Sequence, residues 1–139
     1  MAHVLFVCLH NAGRSQMSRA LFDRLAGDLH TSDSAGSVAV PNGHVHPEVV
    51  DVMNEVGIDL SARRPQRLED ALDAHTPDLV VTMGCGDACP FIPGTLYVDW
   101  DLPDPKGQDH DAVRATRDEI ERRVRDLVAQ LGSAGDDAE

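Results

Sequence analysis

The sequence has little positive charge. Its 12 lysines and arginines are outnumbered by 24 aspartates and glutamates, which gives a formal net charge of −12 at pH 7. Binding to nucleic acid requires a basic face, and attachment to an anionic membrane surface requires positive charge as well. The composition therefore argues against both functions. Long apolar runs are missing too, since no stretch approaches the ~20 apolar residues of a membrane span.

Cysteine and aromatic residues are also scarce. The chain has 3 cysteines, an odd number, and its N-terminal residues show no basic segment followed by a long apolar core. We therefore expect reduced thiols in a cytoplasmic protein rather than a secreted disulfide scaffold. With 139 residues, 42% of them hydrophobic, the chain is long enough for one packed domain. Its aromatic residues are Phe6, Phe22, Phe91, Tyr97 and Trp100.

Apolar runs and amphipathic stretches alternate along the chain. This pattern predicts strands over 4–7, 31–37, 78–83 and 96–100, and helices over 15–25, 46–56, 66–74 and 111–131. The alternation predicts an α/β fold with an open four-stranded parallel sheet and helices on both faces. We expect a single catalytic domain over residues 1–132, with Gly132 ending the last helix, and a disordered acidic tail over 133–139.

Three chemically reactive side chains follow predicted strands. Cys8 comes after the first strand, Cys85 after the strand that ends near residue 83, and Asp104 after the strand that ends near residue 100. In open parallel sheets, ligands bind beyond the carboxyl ends of the strands. We therefore expect these three residues to share one rim of the sheet.

Residues 8–15, CLHNAGRS, join the first strand to the first helix and have the pattern C-x5-R-S. The N-terminus of a helix presents unpaired backbone N–H groups and favours an anion. In this setting Cys8 should be a thiolate at neutral pH. Arg14 can bind two oxygens of a tetrahedral oxyanion, and the Ser15 hydroxyl can donate to the thiolate. The alternative is a buried structural cysteine beside a surface arginine.

The segment VLFVCLHNAGRSQM, residues 4–17, resembles the phosphate loop of the low-molecular-weight protein tyrosine phosphatase fold. Within it, Gln16-Met17 after Arg-Ser resembles the arsenate reductase branch of that family. The similarity continues through HPEVVDVMNEVGIDLSARRP, DLVVTMGCGDACPFIPG and DWDLPDPKG, and so covers nearly the whole chain before the tail. The resemblance implies this fold and the reduction of arsenate, with phosphate or sulfate as substrate analogues.

The resemblance also implies roles for individual residues. Cys8 matches the nucleophile, Arg14 the clamp on the oxyanion, and Ser15 the hydroxyl that stabilises the thiolate. Asp104, in an Asp-Pro pair, matches the general acid. The oxyanion-binding loop comprises Leu9, His10, Asn11, Ala12, Gly13 and Arg14. Asn11 and Gly13 suit a loop that needs positive φ.

Cys85 and Cys89 resemble the two resolving cysteines of the thioredoxin-coupled reductases, although their C-x3-C spacing is closer than is usual there. Reducing arsenate requires two electrons, and the sequence has no flavin or nicotinamide motif, so we expect no cofactor and electrons from thiols. Cys8 would attack arsenic, Cys85 would attack Cys8, and Cys89 would close the disulfide. The electron donor would be thioredoxin or a low-molecular-weight thiol of the mycothiol type.

Several alternatives remain open. The chain could be a small phosphatase with spare cysteines, or a non-catalytic protein that binds arsenite through three thiolates. Cys85 and Cys89 with a histidine (His10, His44 or His46), or the aspartates 99, 101 and 104, could hold a metal ion. However, C-x3-C without a second cysteine pair is poor spacing for zinc, and a loop rich in Asp and Pro is common. We therefore expect no metal. Some relatives bind potassium with an acidic residue where Arg19 stands, so potassium dependence is not predicted.

Overall fold

The computed structural model describes residues 1–84 and 94–137, with side chains as far as residue 132. The elements are β1 (His3–Cys8), α1 (Arg14–Ala26), β2 (Thr31–Gly36), α2 (Pro47–Asn54), α3 (Leu68–Ala74), β3 (Leu79–Thr82), β4 (Leu96–Asp99) and α4 (His110–Asp137). The four strands form one sheet in the order β2-β1-β3-β4, and all neighbours are parallel. The predicted four-stranded parallel sheet is confirmed.

The central strand β1 is buried along its whole length. Successive side chains of a strand point to opposite faces, so Val4 and Phe6 pack in one apolar cluster with α1, α2 and α4. Leu5 and Val7 pack in a second cluster with residues of α3. Helices therefore cover both faces of the sheet, as predicted. Trp100 also belongs to the core, because it is 7% exposed and its ring packs near Phe6.

The last helix is longer than the sequence predicted. α4 continues to Asp137, so the predicted end at Gly132 is wrong. A glycine inside a helix costs only about 1 kcal/mol relative to alanine, and the buried stripe of α4 holds the helix against the sheet through Val113, Ile120 and Val124. The division into a domain over 1–132 and a tail over 133–139 stays a prediction. Within the described residues, no helix combines the length and apolar character needed to cross a membrane.

The topology brings three chain segments to one edge of the sheet. β1 ends at Cys8, β3 ends at Thr82 and β4 ends at Asp99, and each of the three strands runs in the same direction. The loop after β1 leads directly into α1, and the segment after β4 returns over the first residues of that helix. Of the predicted site residues, Cys8, Arg14, Ser15 and Asp104 therefore meet at the carboxyl edge of the sheet.

Candidate active site

Cys8 lies at the end of β1 with its thiol inside the loop that follows. It is 3% exposed. Its Sγ lies 2.9 Å from Oγ of Ser15, and the backbone N–H of Asn11 donates to the same sulfur over 3.3 Å. The loop thus surrounds Cys8 with the hydrogen-bond partners that a nucleophilic thiolate requires.

Asn11 holds this loop together. It is fully buried and adopts φ 57°, the positive value that the sequence predicted. Its Nδ2 donates to Oγ of Ser15 over 2.7 Å, and its Oδ1 accepts from the backbone N–H of Gln66 and from Nε2 of Gln16. Because Ser15 accepts a hydrogen bond from Asn11, its own hydroxyl proton is available to the sulfur of Cys8.

Arg14 opens α1, and its side chain runs back across the mouth of the loop. The residue is 7% exposed. Its Nη1 donates to the carbonyl oxygen of Leu102 over 3.1 Å, and its Nη2 lies 4.0 Å from Oδ2 of Asp104. Asp104 is half exposed, and its Oδ1 accepts from the backbone N–H of Lys106 over 3.0 Å. A cation and a carboxylate therefore face each other over the thiol.

A narrow recess opens above the sulfur. It is lined by Cys8, His10, Ala12, Gly13, Arg14, His46 and Asp104. Gly13 has φ −149°, so the predicted positive φ is wrong for this residue. Glycine is needed there for space, because a Cβ atom would lie 2.6 Å from Cγ of Pro105. The recess is thus closed in by the Asp-Pro segment.

The sequence and the fold were compared with those of known proteins. The model of the low molecular weight phosphotyrosine protein phosphatase family matches residues 3–136. The chain belongs to this family. A Halobacterium salinarum protein named "Putative arsenate reductase" is 44% identical over 133 residues, which are 91% of this chain and 90% of that protein.

Two solved structures of the family share this fold. One is the thioredoxin-dependent arsenate reductase of Corynebacterium glutamicum, with TM-score 0.80 and 38% identity, covering 96% of this chain. This chain spans 63% of that longer chain. The other is the YwlE arginine phosphatase from Geobacillus stearothermophilus, with TM-score 0.85 and 25% identity, covering 100% of this chain and 98% of that one. The family thus contains proteins named for reduction and for phosphate hydrolysis.

His46 also lines the recess, although the sequence analysis considered it only as a possible metal ligand at the start of a helix. Its backbone N–H donates to the carbonyl oxygen of Ala12 over 2.9 Å, which ties the start of α2 to the catalytic loop. Burial lowers the pKa of His46 below its ordinary value of 6.5, while the carboxylates of Glu48 and Asp104 act in the opposite direction. In the sequence, His46 only precedes the proline that begins α2, and no motif there indicates that its side chain would line the recess.

The structure brings together four of the six predicted catalytic residues: Cys8, Arg14, Ser15 and Asp104. Of the predicted oxyanion loop, Leu9 is half-buried and His10 is exposed. Cys85 and Cys89 lie outside the described residues. Within the described residues, no group of three or more His, Cys, Asp and Glu side chains is arranged to hold a metal ion.

Proposed function

We propose that this chain is an arsenate reductase in which Cys8 is the nucleophile. The observation that carries the proposal is the position of the Cys8 sulfur, hydrogen-bonded by Ser15 and Asn11 at the base of a recess where Arg14 faces Asp104. These are the groups needed to attack a tetrahedral oxyanion and to protonate a departing oxygen. The names of the Halobacterium and Corynebacterium relatives support arsenate as the oxyanion.

The first step is a substitution at arsenic(V). The Arg14 guanidinium and the loop N–H groups bind the oxyanion. The Cys8 thiolate forms a sulfur–arsenic bond, and one arsenic–oxygen bond breaks. Asp104 donates the proton that lets this oxygen leave as water. No electrons have been transferred to arsenic at this stage.

The second step transfers two electrons. The Cys85 thiolate attacks the sulfur of Cys8, a disulfide forms, and the electron pair of the sulfur–arsenic bond remains on arsenic, which leaves as arsenite. Cys89 then attacks Cys85, releases Cys8, and leaves a Cys85–Cys89 disulfide. An external dithiol of the thioredoxin class reduces that disulfide. Support for this step comes from the sequence and from Gly84, which packs against Arg14 and brings the chain to the recess directly before Cys85.

The test is an assay of arsenate-dependent thiol oxidation. Arsenate is added to the reduced protein, with thioredoxin and its reductase in one arm and a low-molecular-weight thiol in the other. The matched control is Cys8→Ser, which should lose turnover but still bind phosphate, because Arg14 and the loop amides remain. Thiol oxidation that does not depend on arsenate, or that Cys8→Ser retains, would contradict the proposal. The arm with turnover identifies the class of donor.

Phosphate hydrolysis is the second candidate function. The close similarity in fold to an arginine phosphatase favours it, and a phosphatase needs only the nucleophile, the clamp and the acid. No Phe, Tyr or Trp lines the recess among the described residues, which argues against a phosphotyrosine substrate. A phosphatase would retain full activity in Cys85→Ser/Cys89→Ser, whereas the reductase would lose turnover with thioredoxin.

A further inference from the structure

A second polar cavity lies behind the catalytic loop. Its volume is about 320 Å³, and it is lined by Asn11, Gln16, Arg19, Asp33, Ser34, Arg63, Arg64 and Gln66. None of these residues lines the recess over Cys8. The two spaces share the loop between them, because Asn11 forms part of the cavity wall and also donates to Ser15. The proposed reaction leaves this cavity unused.

The cavity concentrates positive charge in a chain whose net charge is −12. Its lining has three arginines and one carboxylate, Asp33. A second carboxylate, Asp23, is not part of the lining but also pairs with Arg19. Both oxygens of the Asp33 carboxylate are already engaged, one by Arg19 over 3.1 Å and the other by Gln66 over 3.0 Å. The Arg63 guanidinium has no ion pair with any described residue. The positive charge of the lining therefore favours binding of an anion over binding of a cation.

Two buried polar atoms in this lining have no hydrogen-bond partner. Gln16 is 2% exposed, and its Oε1 has no donor. Its amide orientation is determined, because Nε2 lies within 3.2 Å of three oxygens, two from Asn11 and one from the backbone of Arg64. Nε of Arg19 likewise has no acceptor within hydrogen-bond distance, although Oδ2 of Asp23 lies 3.7 Å from it. A buried acceptor and a buried donor without partners each destabilise the protein, and a ligand with both kinds of group would satisfy them.

We propose that this cavity is a second anion site, specific for a protonated tetrahedral oxyanion such as hydrogenphosphate. The arginines 19, 63 and 64 provide the charge. The O–H group of the anion donates to Oε1 of Gln16, which a fully deprotonated anion cannot do. Because Asn11 borders the cavity, an anion bound there stabilises the loop that carries Ser15 and Cys8.

The test is calorimetric titration of the reduced full-length protein with inorganic phosphate. The wild type should bind about two ions per chain. Arg63→Ala should weaken the second site by about tenfold or more, the effect of losing one charge-assisted hydrogen bond, and Arg14→Ala should remove only the ion in the recess. Arg125→Ala is the matched control, because it removes an exposed arginine that pairs with Glu121 and lines neither site. It should leave both sites intact.

Binding of a single ion by the wild type, or binding by Arg63→Ala and by Arg63→Ala/Arg64→Ala that equals the wild type, would overturn the inference. The wild-type stoichiometry and the Arg63 variants decide it even if Arg14→Ala does not fold. Sulfate, which has no O–H group at neutral pH, should bind the cavity more weakly than phosphate. Equal affinities would overturn the role given to Gln16. Calorimetry measures binding without turnover, so failure of the reductase assay leaves this inference untouched.

Discussion

Gly84 leaves the space that the guanidinium of Arg14 occupies. A Cβ atom at Gly84 would lie 2.7 Å from Nη1 of Arg14, well inside van der Waals contact. Gly84 also has φ +81°, a value that strains any residue with a side chain. Gly84 lies two residues after the end of β3, and Arg14 is the first residue of α1. The chain that leaves β3 therefore packs on the start of this helix. The segment that leads to Cys85 therefore begins in contact with Arg14.

Gly84→Ala should weaken phosphate binding because the new methyl group displaces the Arg14 guanidinium. We expect a loss of affinity of about tenfold, the scale of one charge-assisted hydrogen bond, measured by calorimetry. Gly94→Ala is the matched control: Gly94 has a similar φ of +85° but open space around it. Both variants should lose about 1–2 kcal/mol of stability from the strained backbone. Equal phosphate affinity in the two variants would show that Gly84 does not position Arg14.

Asn11 offers a second pair of variants that separates backbone from side-chain effects. Its amide bonds Ser15, Gln16 and Gln66, and its backbone has φ 57°. Asn11→Gly keeps a residue that accepts this φ and removes the amide, so it should destabilise the protein by about 1–3 kcal/mol. Asn11→Ala should be less stable than Asn11→Gly by about 1 kcal/mol or more, because of the left-handed backbone. Urea unfolding measures both values.

If Asn11→Gly is as stable as the wild type, the hydrogen bonds of the Asn11 amide contribute nothing to the loop. If Asn11→Ala and Asn11→Gly are equally unstable, the positive φ carries no cost, and the amide alone accounts for the choice of asparagine. The thiol reactivity of Cys8 tests the Asn11 amide independently of protein stability. The amide orients the Ser15 hydroxyl, and that hydroxyl contacts the sulfur of Cys8.

The local part of the site was predictable because it is contiguous in the sequence. Cys8 ends β1, and Arg14 and Ser15 begin α1. The short loop between these two elements therefore brings the three residues together. Asp104 was predictable through topology, because the carboxyl ends of parallel strands share one rim. Its distance of 4.0 Å from Arg14 required the structure.

The remaining site features depend on how distant segments dock. His46 reaches the recess because its backbone N–H bonds Ala12, and Gln66 reaches Asn11 across 55 positions of the chain. No periodicity or local motif encodes such contacts. Gly13 illustrates the same limit: the sequence predicted a positive φ at this glycine, but the structure requires glycine there because Pro105 approaches it closely.

The two cysteines outside the described residues should differ in where they stall the reaction. Cys89→Ser should release one arsenite per chain and stop as a Cys8–Cys85 disulfide, because no thiol remains to free Cys8. Cys85→Ser should stop earlier, with arsenic still bonded to Cys8. Mass spectrometry of protein trapped after one addition of arsenate distinguishes the two adducts. Normal cycling of both variants with thioredoxin would contradict the relay and favour a mechanism in which a small thiol attacks Cys8 directly.

The histidine beneath the N-terminus should make stability depend on pH. Nδ1 of His30 accepts a hydrogen bond from the backbone N–H of Ala2 over 3.0 Å, so protonation of that nitrogen removes the acceptor. Burial, and to a lesser extent the charge of the N-terminus, lower the pKa of His30 below its ordinary value of 6.5. In the unfolded chain the ring gains a proton as the pH falls through 6.5, whereas in the folded chain it remains neutral until lower pH.

The unfolded state therefore binds more protons in this range, and the free energy of unfolding should decrease as the pH falls from about 7.5 to about 5.5. His30→Gln has no titrating ring, and its side-chain oxygen can still accept from Ala2, so it should lose less stability over the same interval. Urea unfolding at the two pH values measures the difference. The same substitution at the exposed His44 gives the effect of removing a surface histidine. A pH-dependent loss in His30→Gln as large as that of the wild type would assign the effect to His3 and His46, whose pKa values burial also lowers.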